Sequence, residues 1–195
     1  MRSTSRTLAV LVSLLAVLAL SGVAAGATVT QNSTPKKWVS TFCGSLVTWE
    51  QTVKSSSIKL SSTISTLKKG GKVNIPVAKG KLVSFLGGLV KSTDKLIGQV
   101  KAVGAPSIKN GSKIQKGVLD AFGQIDTAFK HAKKAAQKLS TDNAQKFSKG
   151  ALAVAATITA SGNQVAAAFT ELSRYSTRSL DDAARKDPAC ARING

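Results

Sequence analysis

The sequence has few of the residues that form metal, haem or acid–base sites. Its 195 residues include one histidine, one methionine, two cysteines and nine acidic residues. Metal and haem sites need several such ligands, and His131 has no second histidine to join it. The acidic pairs Asp120 with Asp126 and Asp181 with Asp182 lie on different helix faces or at a helix start, so neither resembles a general acid–base pair. We therefore expect a protein that is not an enzyme and has no cofactor and no metal site.

Aromatic and proline residues are also scarce, and this limits the fold. Aromatic residues make up 5% of the chain and there are four prolines, so the core has to consist mainly of Leu, Val, Ile and Ala. A composition rich in alanine and poor in proline favours helices over strands. The length suffices for one domain with a sizeable core. The composition therefore predicts an all-α protein.

The beginning of the chain has the pattern of a secretory signal peptide. Arg2 and Arg6 precede a long apolar run, which is followed by small residues up to Ala27. This order predicts export with cleavage after Ala27. An uncleaved anchor is the alternative, because the same segment could nearly span a bilayer. We therefore divide the chain into a signal peptide, residues 1–27, and a single helical bundle domain, residues 28–195.

The charge is strongly unbalanced. Lysine and arginine together number 28 against nine acidic residues, which gives a net charge of +19, and loss of the two arginines of the leader lowers it to +17. Such a balance favours polyanionic partners: nucleic acid, anionic lipid or cell-wall polymer. A lysine-coated soluble surface is the alternative. Nucleic-acid modules interleave aromatic and basic residues, and the most basic stretches contain only Phe85 and Phe147, so sequence-specific nucleic-acid binding is not expected.

Four long stretches have apolar residues at the three-to-four-residue spacing of amphipathic helices. Ser33 or Thr34 can cap the first helix with Pro35 in its first turn, and Asn74 starts the second. The breaks between helices contain Gly70-Gly71, Gly104 to Gly111 and Ser140 to Asn143. The apolar positions of the four stretches are Trp38, Phe42, Leu46, Trp49, Val53, Leu60, Ile64 and Leu67; Ala78, Leu82, Phe85, Leu89, Leu96, Val100 and Val103; Ile114, Val118, Phe122, Ile125, Phe129, Ala132, Ala136 and Leu139; and Ala144, Phe147, Ala151, Val154, Ile158, Val165, Phe169 and Leu172.

Two details of these stretches carry further expectations. Gly87, Gly88 and Gly98 interrupt the second helix, and because a helical glycine costs about 1 kcal/mol, we expect a neighbouring helix to approach closely there. Residues 150–170 carry no charge, but their alanines and hydroxyl-bearing residues are too weakly apolar for a transmembrane helix. A central bundle helix is the better interpretation of this stretch.

The helices and their short connections predict an up-down-up-down four-helix bundle with a short C-terminal helix or tail tied back to helix 1. Ser179 is the expected cap of the short helix. In this topology the tail returns to the end of the bundle at which helix 1 starts. We therefore predict a disulfide bond between Cys43 and Cys190, which export would permit. Two free buried thiols are the alternative.

The same topology gathers lysines at the opposite end of the bundle, with Asp142 as the only acid there. We call this end the basic pole and predict that it binds polyanions. The alternative is that lysines collect at helix ends and loops for solubility. The candidate binding residues are Lys68, Lys69, Lys72, Lys79, Lys81, Lys133, Lys134, Lys138, Lys146 and Lys149, with Lys59 and Lys130 beside them.

Several short motifs resemble those of uncharacterised small secreted helical proteins of actinobacteria. They are the leader, the pattern Trp38-x-x-x-Phe42-Cys43-x-x-Leu46-x-x-Trp49, the Gly104-Ala105-Pro106 break that ends in Asn110-Gly111, and the terminal Pro188-Ala189-Cys190. The resemblance implies no established activity. It supports the pairing of Cys43 with Cys190.

These observations lead to one functional expectation and one alternative. We expect a non-catalytic helical bundle, secreted or held at the cell envelope, whose basic pole binds anionic lipids or cell-wall polymers. The alternative is a helical protein that inserts into membranes and forms pores. No transmembrane helix is expected after cleavage of the leader, and the sequence does not indicate an oligomeric state.

Overall fold

Within the residues that the structure describes, the protein is an all-α bundle of six helices packed against one another, which confirms the predicted all-α class. The structure, a computed structural model, describes residues 33–69, 74–175 and 177–194, and these ranges contain no β-strand. The helices are α1 (Pro35–Lys69), α2 (Ile75–Val103), α3 (Gly111–Gln137), α4 (Ala144–Ser173), α5 (Arg178–Lys186) and α6 (Pro188–Asn194).

Some predictions fall outside the described residues. The signal peptide at residues 1–27 and the turn that contains Lys72 are among them. The up-down-up-down order of the helices stays a prediction. The same holds for the apolar side chains expected at Leu60, Ile64, Leu67, Val165, Phe169 and Leu172, which are not described.

The chain divides into two compact units, each composed of stretches that are distant in the sequence. Each of the four long helices supplies residues to both units. The expectation of a single domain stays a prediction. Unit 1 consists of Met1–Thr48, Lys95–Gly123 and Gln164–Gly195, and unit 2 consists of Trp49–Asp94 and Gln124–Asn163.

Local signals start α1 and α2 where the sequence predicts. Thr34 Oγ1 accepts a hydrogen bond from the backbone N–H of Lys37 at 3.2 Å, and Pro35 is the first helical residue. Asn74 Oδ1 likewise accepts the N–H of Val77 at 3.2 Å. Such caps satisfy N–H groups that have no partner within the helix, and proline in the first turn loses no hydrogen bond.

The first half of α1 supplies aromatic rings to the core of unit 1. Trp38 stacks on Phe42 with ring centroids 5.3 Å apart, and Phe42 meets the edge of Phe122 at 6.4 Å. Burial of such rings removes a large apolar area from water, so this part of α1 is structural. The other large aliphatic core residues of unit 1 come from five helices and are Val39, Val47, Leu96, Val100, Val103, Ile114, Val118, Leu180 and Ile193.

The connection between α2 and α3 forms backbone hydrogen bonds with Ser33. The N–H of Ser33 donates to Ala105 O at 3.2 Å, and the N–H of Ser107 donates to Ser33 O at 2.8 Å. These bonds form an isolated parallel bridge between Ser33 and Pro106. Ser33 therefore anchors this connection, and Thr34 alone caps α1.

Backbone geometry explains the residues at both ends of this connection. Gly104 has a φ of 74° and Asn110 a φ of 61°, a region that glycine and asparagine adopt at lower cost than other residues. Gly111 follows directly, and a Cβ placed on it would lie 1.9 Å from Pro106 O. The break therefore requires glycine at Gly111 because the backbone of Pro106 occupies the space of a side chain.

Cys43 and Cys190 form a disulfide bond that joins α1 to α6 within unit 1, as predicted. Each cysteine is 1% exposed, and 147 positions separate them in the sequence. Asp187 Oδ1 accepts the N–H groups of Ala189 at 2.8 Å and Cys190 at 3.2 Å, so Asp187 caps α6 and Pro188 fills its first position. This capped turn fixes the backbone that carries Cys190.

The start of α5 differs from the prediction. Ser179 lies inside the helix, which begins at Arg178, and Thr177 occupies the N-cap position with an extended backbone and no capping hydrogen bond from its side chain. The predicted Ser179 cap is therefore wrong. Leu180, the buried residue of this short helix, holds it against unit 1 through its apolar side chain.

The core of unit 2 rests on the middle of α2 and the second half of α3. Thr93 is fully buried; its hydroxyl donates to Leu89 O at 2.8 Å and accepts the indole N–H of Trp49 at 2.9 Å. These bonds satisfy the one buried polar side chain of α2 in the described part of unit 2. Leu86 is fully buried where Phe85 was expected, and Phe85 is half-buried.

The close approach of a neighbouring helix expected at the glycines of α2 is limited to Gly87, where the Lys133 side chain of α3 lies 3.6 Å from the position of a Cβ, an ordinary contact. A Cβ on Gly88 or Gly98 would meet nothing within 4 Å, so no neighbouring helix approaches closely there.

In α4, Val154 is buried and Phe147 is half-buried, but Ala144 is exposed and most side chains between residues 144 and 160 face solvent. Of the predicted apolar positions of α4 whose side chains are described, Val154 is the only buried one. Residues 144–160 are therefore largely exposed, unlike the central bundle helix expected for this stretch.

Loss of the disulfide bond should cost more stability than any single change elsewhere in the chain. For a closed loop this long, the chain-entropy model gives about 5 kcal/mol. We expect the double variant Cys43→Ser with Cys190→Ser to unfold at a clearly lower denaturant concentration than the wild type. Intact mass of the native protein should rise by about 2 Da on reduction. Equal unfolding midpoints for oxidised and reduced protein would contradict the account.

A matched pair of glycine substitutions in α3 should have opposite effects. Gly111→Ala should lower the free energy of unfolding by about 2 to 4 kcal/mol, because its Cβ would collide with the Pro106 backbone. Gly123→Ala should raise it by about 0.5 to 1 kcal/mol, since its Cβ would meet nothing within 4 Å and alanine favours the helix. Chemical denaturation of both variants measures this. Equal effects would show that the contact with Pro106 does not constrain the chain.

Candidate polyanion-binding site

Three segments that carry candidate lysines meet at Leu139, just beyond the end of α3. The ammonium group of Lys79, in the second turn of α2, donates to Leu139 O at 2.8 Å. A Cβ on Gly150, in the second turn of α4, would lie 2.4 Å from Leu139 Cδ2. The start of α2 and the start of α4 are therefore both in contact with the end of α3, within unit 2.

Five of the predicted lysines lie on these three segments and are exposed to solvent. None of them forms a salt bridge with an acidic residue in the described part of the chain. We call them the lysine cluster. Its members are Lys81 on α2, Lys134 on α3, Lys138 just after α3, and Lys146 and Lys149 on α4.

The one acid close to the cluster in sequence has a local role. Asp142 Oδ2 lies 3.1 Å from Ser140 Oγ, and the backbone N–H of Asp142 donates to the same Ser140 oxygen at 3.2 Å. These bonds shape the connection between α3 and α4. Asp142 therefore contributes to a turn and pairs with no lysine of the cluster.

Helix termini add to the positive potential around the cluster. Asn143 Oδ1 accepts the N–H groups of Gln145 at 2.8 Å and Lys146 at 3.1 Å at the start of α4. Neither α2 nor α4 has an acidic residue in its first turn, so the positive end of each helix dipole is not compensated there. The negative end of α3 is opposed by the bond from Lys79.

The remaining predicted residues differ from the cluster. Lys79 is half-buried and bound to Leu139 O, and Lys133 is half-buried with its Nζ 3.6 Å from the position of a Cβ on Gly87. Both therefore pack against the protein. Lys68 and Lys69 form the end of α1, but their side chains, like the whole of Lys72, lie outside the described residues.

Lys130 has two acidic partners, although Asp142 was the only acid expected among the lysines of the basic pole. Its ammonium group contacts Asp126 Oδ2 at 2.5 Å and Asp94 Oδ1 at 3.4 Å. The hydrogen bond to Asp126 raises the pKa of Lys130 above its usual range, and the charge of Asp94 adds to this. Lys130 is thus charged but locally neutralised, and we leave it out of the lysine cluster.

Unit 2 as a whole is strongly basic. Its two stretches contain fourteen lysines and four acidic residues, a net charge of +10. Two of those acids, Asp94 and Asp126, face Lys130. The local field at the lysine cluster is therefore positive, and it attracts anions over roughly one Debye length, about 8 to 10 Å at physiological salt.

The described residues form neither a metal centre nor a membrane span. No three His, Cys, Asp or Glu side chains in that part of the chain are placed to hold a metal ion. His131, the single histidine, is exposed on α3. Among the same residues, no helix has both the length and the apolar character needed to cross a lipid bilayer.

Lys79 and Lys81 should separate the structural from the surface role of lysines at the start of α2. Lys79→Met should lower the free energy of unfolding by about 1 to 2 kcal/mol, because it removes a charged donor from Leu139 O. Lys81→Met, at an exposed position, should change it by less than about 0.5 kcal/mol. Urea denaturation measures both. A destabilised Lys81→Met, or a neutral Lys79→Met, would contradict these roles.

Comparisons with known proteins find no match to this chain. No protein-family model matches it, and no curated protein or solved structure matches it at a significant level. A function must therefore be argued from the residues of this chain.

Proposed function

We propose that the protein is a non-catalytic, exported helical bundle, secreted or held at the cell envelope, that binds phosphate-bearing polyanions through the lysine cluster. The ligands that fit are anionic lipid headgroups and cell-wall polymers. One observation carries this proposal: five exposed lysines, which form no salt bridge within the described residues, lie on the segments of α2, α3 and α4 that contact one another at Leu139.

The contrast among the lysines supports this choice of surface. Lys79, Lys130 and Lys133 make contacts within unit 2, whereas the five cluster members project into solvent. An ammonium group is a compact charge that binds phosphate without demanding one geometry. Several such groups on neighbouring helix ends suit a flexible or laterally mobile polyanion, because each can reach a different phosphate.

The binding should have little sequence or shape specificity. Base recognition in single-stranded nucleic acids depends on exposed aromatic rings. Phe85 and Phe147, the aromatic residues nearest the cluster in sequence, are half-buried. The lysine cluster therefore supports attraction to phosphate groups in general, and its affinity should depend strongly on salt because binding releases counterions.

Two independent observations support the proposal that the protein is exported. The first 27 residues have the pattern of a signal peptide. The buried disulfide bond between Cys43 and Cys190 is compatible with an extracellular protein, since disulfide bonds form and persist in oxidising compartments. Together they favour a location where wall polymers or the outer face of a membrane are accessible.

The test compares two variants that lose the same charge from different surfaces. The cluster variant carries Lys134→Gln, Lys138→Gln, Lys146→Gln and Lys149→Gln. The control variant carries Lys36→Gln, Lys37→Gln, Lys101→Gln and Lys109→Gln, which are exposed positions of unit 1. Retention on immobilised polyphosphate across a salt series should fall at least about tenfold for the cluster variant and much less for the control.

Three outcomes would count against the proposal. Equal losses in the two variants would mean that net charge, and not the cluster, attracts the polyanion. Retention that does not change up to about 0.5 M salt would exclude an electrostatic site. Leakage of the contents of anionic vesicles would favour the alternative, a helical protein that inserts into membranes.

A further inference from the structure

The outward face of α4 is apolar or uncharged directly beyond the lysine cluster. Leu152 is 68% exposed, the largest exposure of any large apolar residue in the described part of the chain. It lies one turn from Lys149, and Ala156 and Ala160 continue the same exposed face. No acidic residue occurs between residues 143 and 163. This segment therefore presents basic and apolar groups side by side.

We propose that this face of α4 docks on an anionic lipid bilayer, with Leu152 inserted among the acyl chains near the headgroups. The inference rests on the proposed function and selects one of its two ligand sources. Surface-lying helices combine a charged rim with apolar side chains that enter the interface. Lys146 and Lys149 supply the rim, and their flexible stems can reach phosphate while Leu152 is immersed.

The start of α2 extends the same combination of groups. Val77, in the first turn of α2, is 41% exposed, and Lys81 lies one turn further on the same face. The second turn of α2 contacts the end of α3 through the hydrogen bond from Lys79 to Leu139 O. Both helix starts that carry cluster lysines therefore also carry an exposed aliphatic side chain.

Other occupants of this face fit less well. A wall polymer or free polyphosphate would engage the lysines but leave Leu152 in water. A second copy of the chain would bring together two units that each carry a net charge of +10, which opposes association. An anionic bilayer is complementary to both the charge and the exposed leucine, so it is the occupant we choose.

The experiment measures binding to two probes by co-sedimentation and by competition. One probe is vesicles of equimolar phosphatidylglycerol and phosphatidylcholine, and the other is soluble polyphosphate. Leu152→Ser should weaken vesicle binding about tenfold and leave polyphosphate binding unchanged, because it removes only apolar contact. Ile58→Ser is the matched control: this aliphatic residue of α1 is 61% exposed and should leave both unchanged.

A gain-of-signal variant guards against an uninformative loss. Leu152→Trp places an indole at the same exposed position and should bind vesicles at least as tightly as the wild type. Its fluorescence should be quenched by lipids brominated on their acyl chains more strongly than that of wild-type protein, in which Trp38 is buried and Trp49 half-buried. Absence of extra quenching on bound protein would overturn the insertion of residue 152.

The remaining outcomes separate this inference from the proposed function. If the cluster variant loses binding to both probes while Leu152→Ser keeps full vesicle binding, the polyanion site is supported and the bilayer inference is overturned. Equal losses for Leu152→Ser and Ile58→Ser would overturn the assignment to α4. If a wild-type dimer becomes a monomer on Leu152→Ser, a second copy covers this face. If wild-type protein binds neither probe, both proposals fail.

Discussion

The disulfide bond between Cys43 and Cys190 is the constraint on which unit 1 depends. It joins the aromatic first half of α1 to the last helix of the chain and closes a loop that includes every helix between them. The chain offers few aromatic residues for a core, and three of them, Trp38, Phe42 and Phe122, form one stacked and one edge-to-face ring contact within unit 1. A covalent link at this position compensates for a core made mostly of small aliphatic residues, because it restricts the unfolded chain.

The fold class and most helix ends could be predicted from local chemistry. Thr34, Pro35 and Asn74 act within one helical turn, so their roles can be read directly from the sequence. The apolar stripe of α3 was also predictable, because its buried residues from Ile114 to Ala136 recur at the helical period along the helix. The pairing of Cys43 with Cys190 followed once four long helices were assumed.

Contacts between distant residues were harder to predict. Glycine within α2 suggested a close neighbour, yet the tight contacts occur at Gly111 and Gly150, where a backbone oxygen and a leucine side chain fill the space. The choice between Phe85 and Leu86 as the buried residue depends on the rotation of α2, which spacing alone does not fix. Lys130 shows the same limit: its partner Asp94 is 36 residues away, and a charge count cannot reveal that pair.

The candidate site is defined by a division of the lysines into three groups: those packed against the protein, those paired with acids, and those that are exposed without an acidic partner. A net charge of +19 describes the whole molecule and is equally consistent with solubility and with binding. The structure distinguishes Lys79, which supports the end of α3, and Lys130, which is neutralised, from the five lysines that have no partner in the described residues. Lysines of this last group can bind an external anion without giving up an internal contact, which Lys79 and Lys130 cannot do.

Lysine acetylation footprinting in the presence and absence of soluble polyphosphate tests this central claim most directly, because it reports on every lysine in one experiment. The account predicts that polyphosphate protects Lys81, Lys134, Lys138, Lys146 and Lys149, and that Lys36, Lys37, Lys101 and Lys109 keep their reactivity. Uniform protection of all exposed lysines, or protection confined to unit 1, would contradict it.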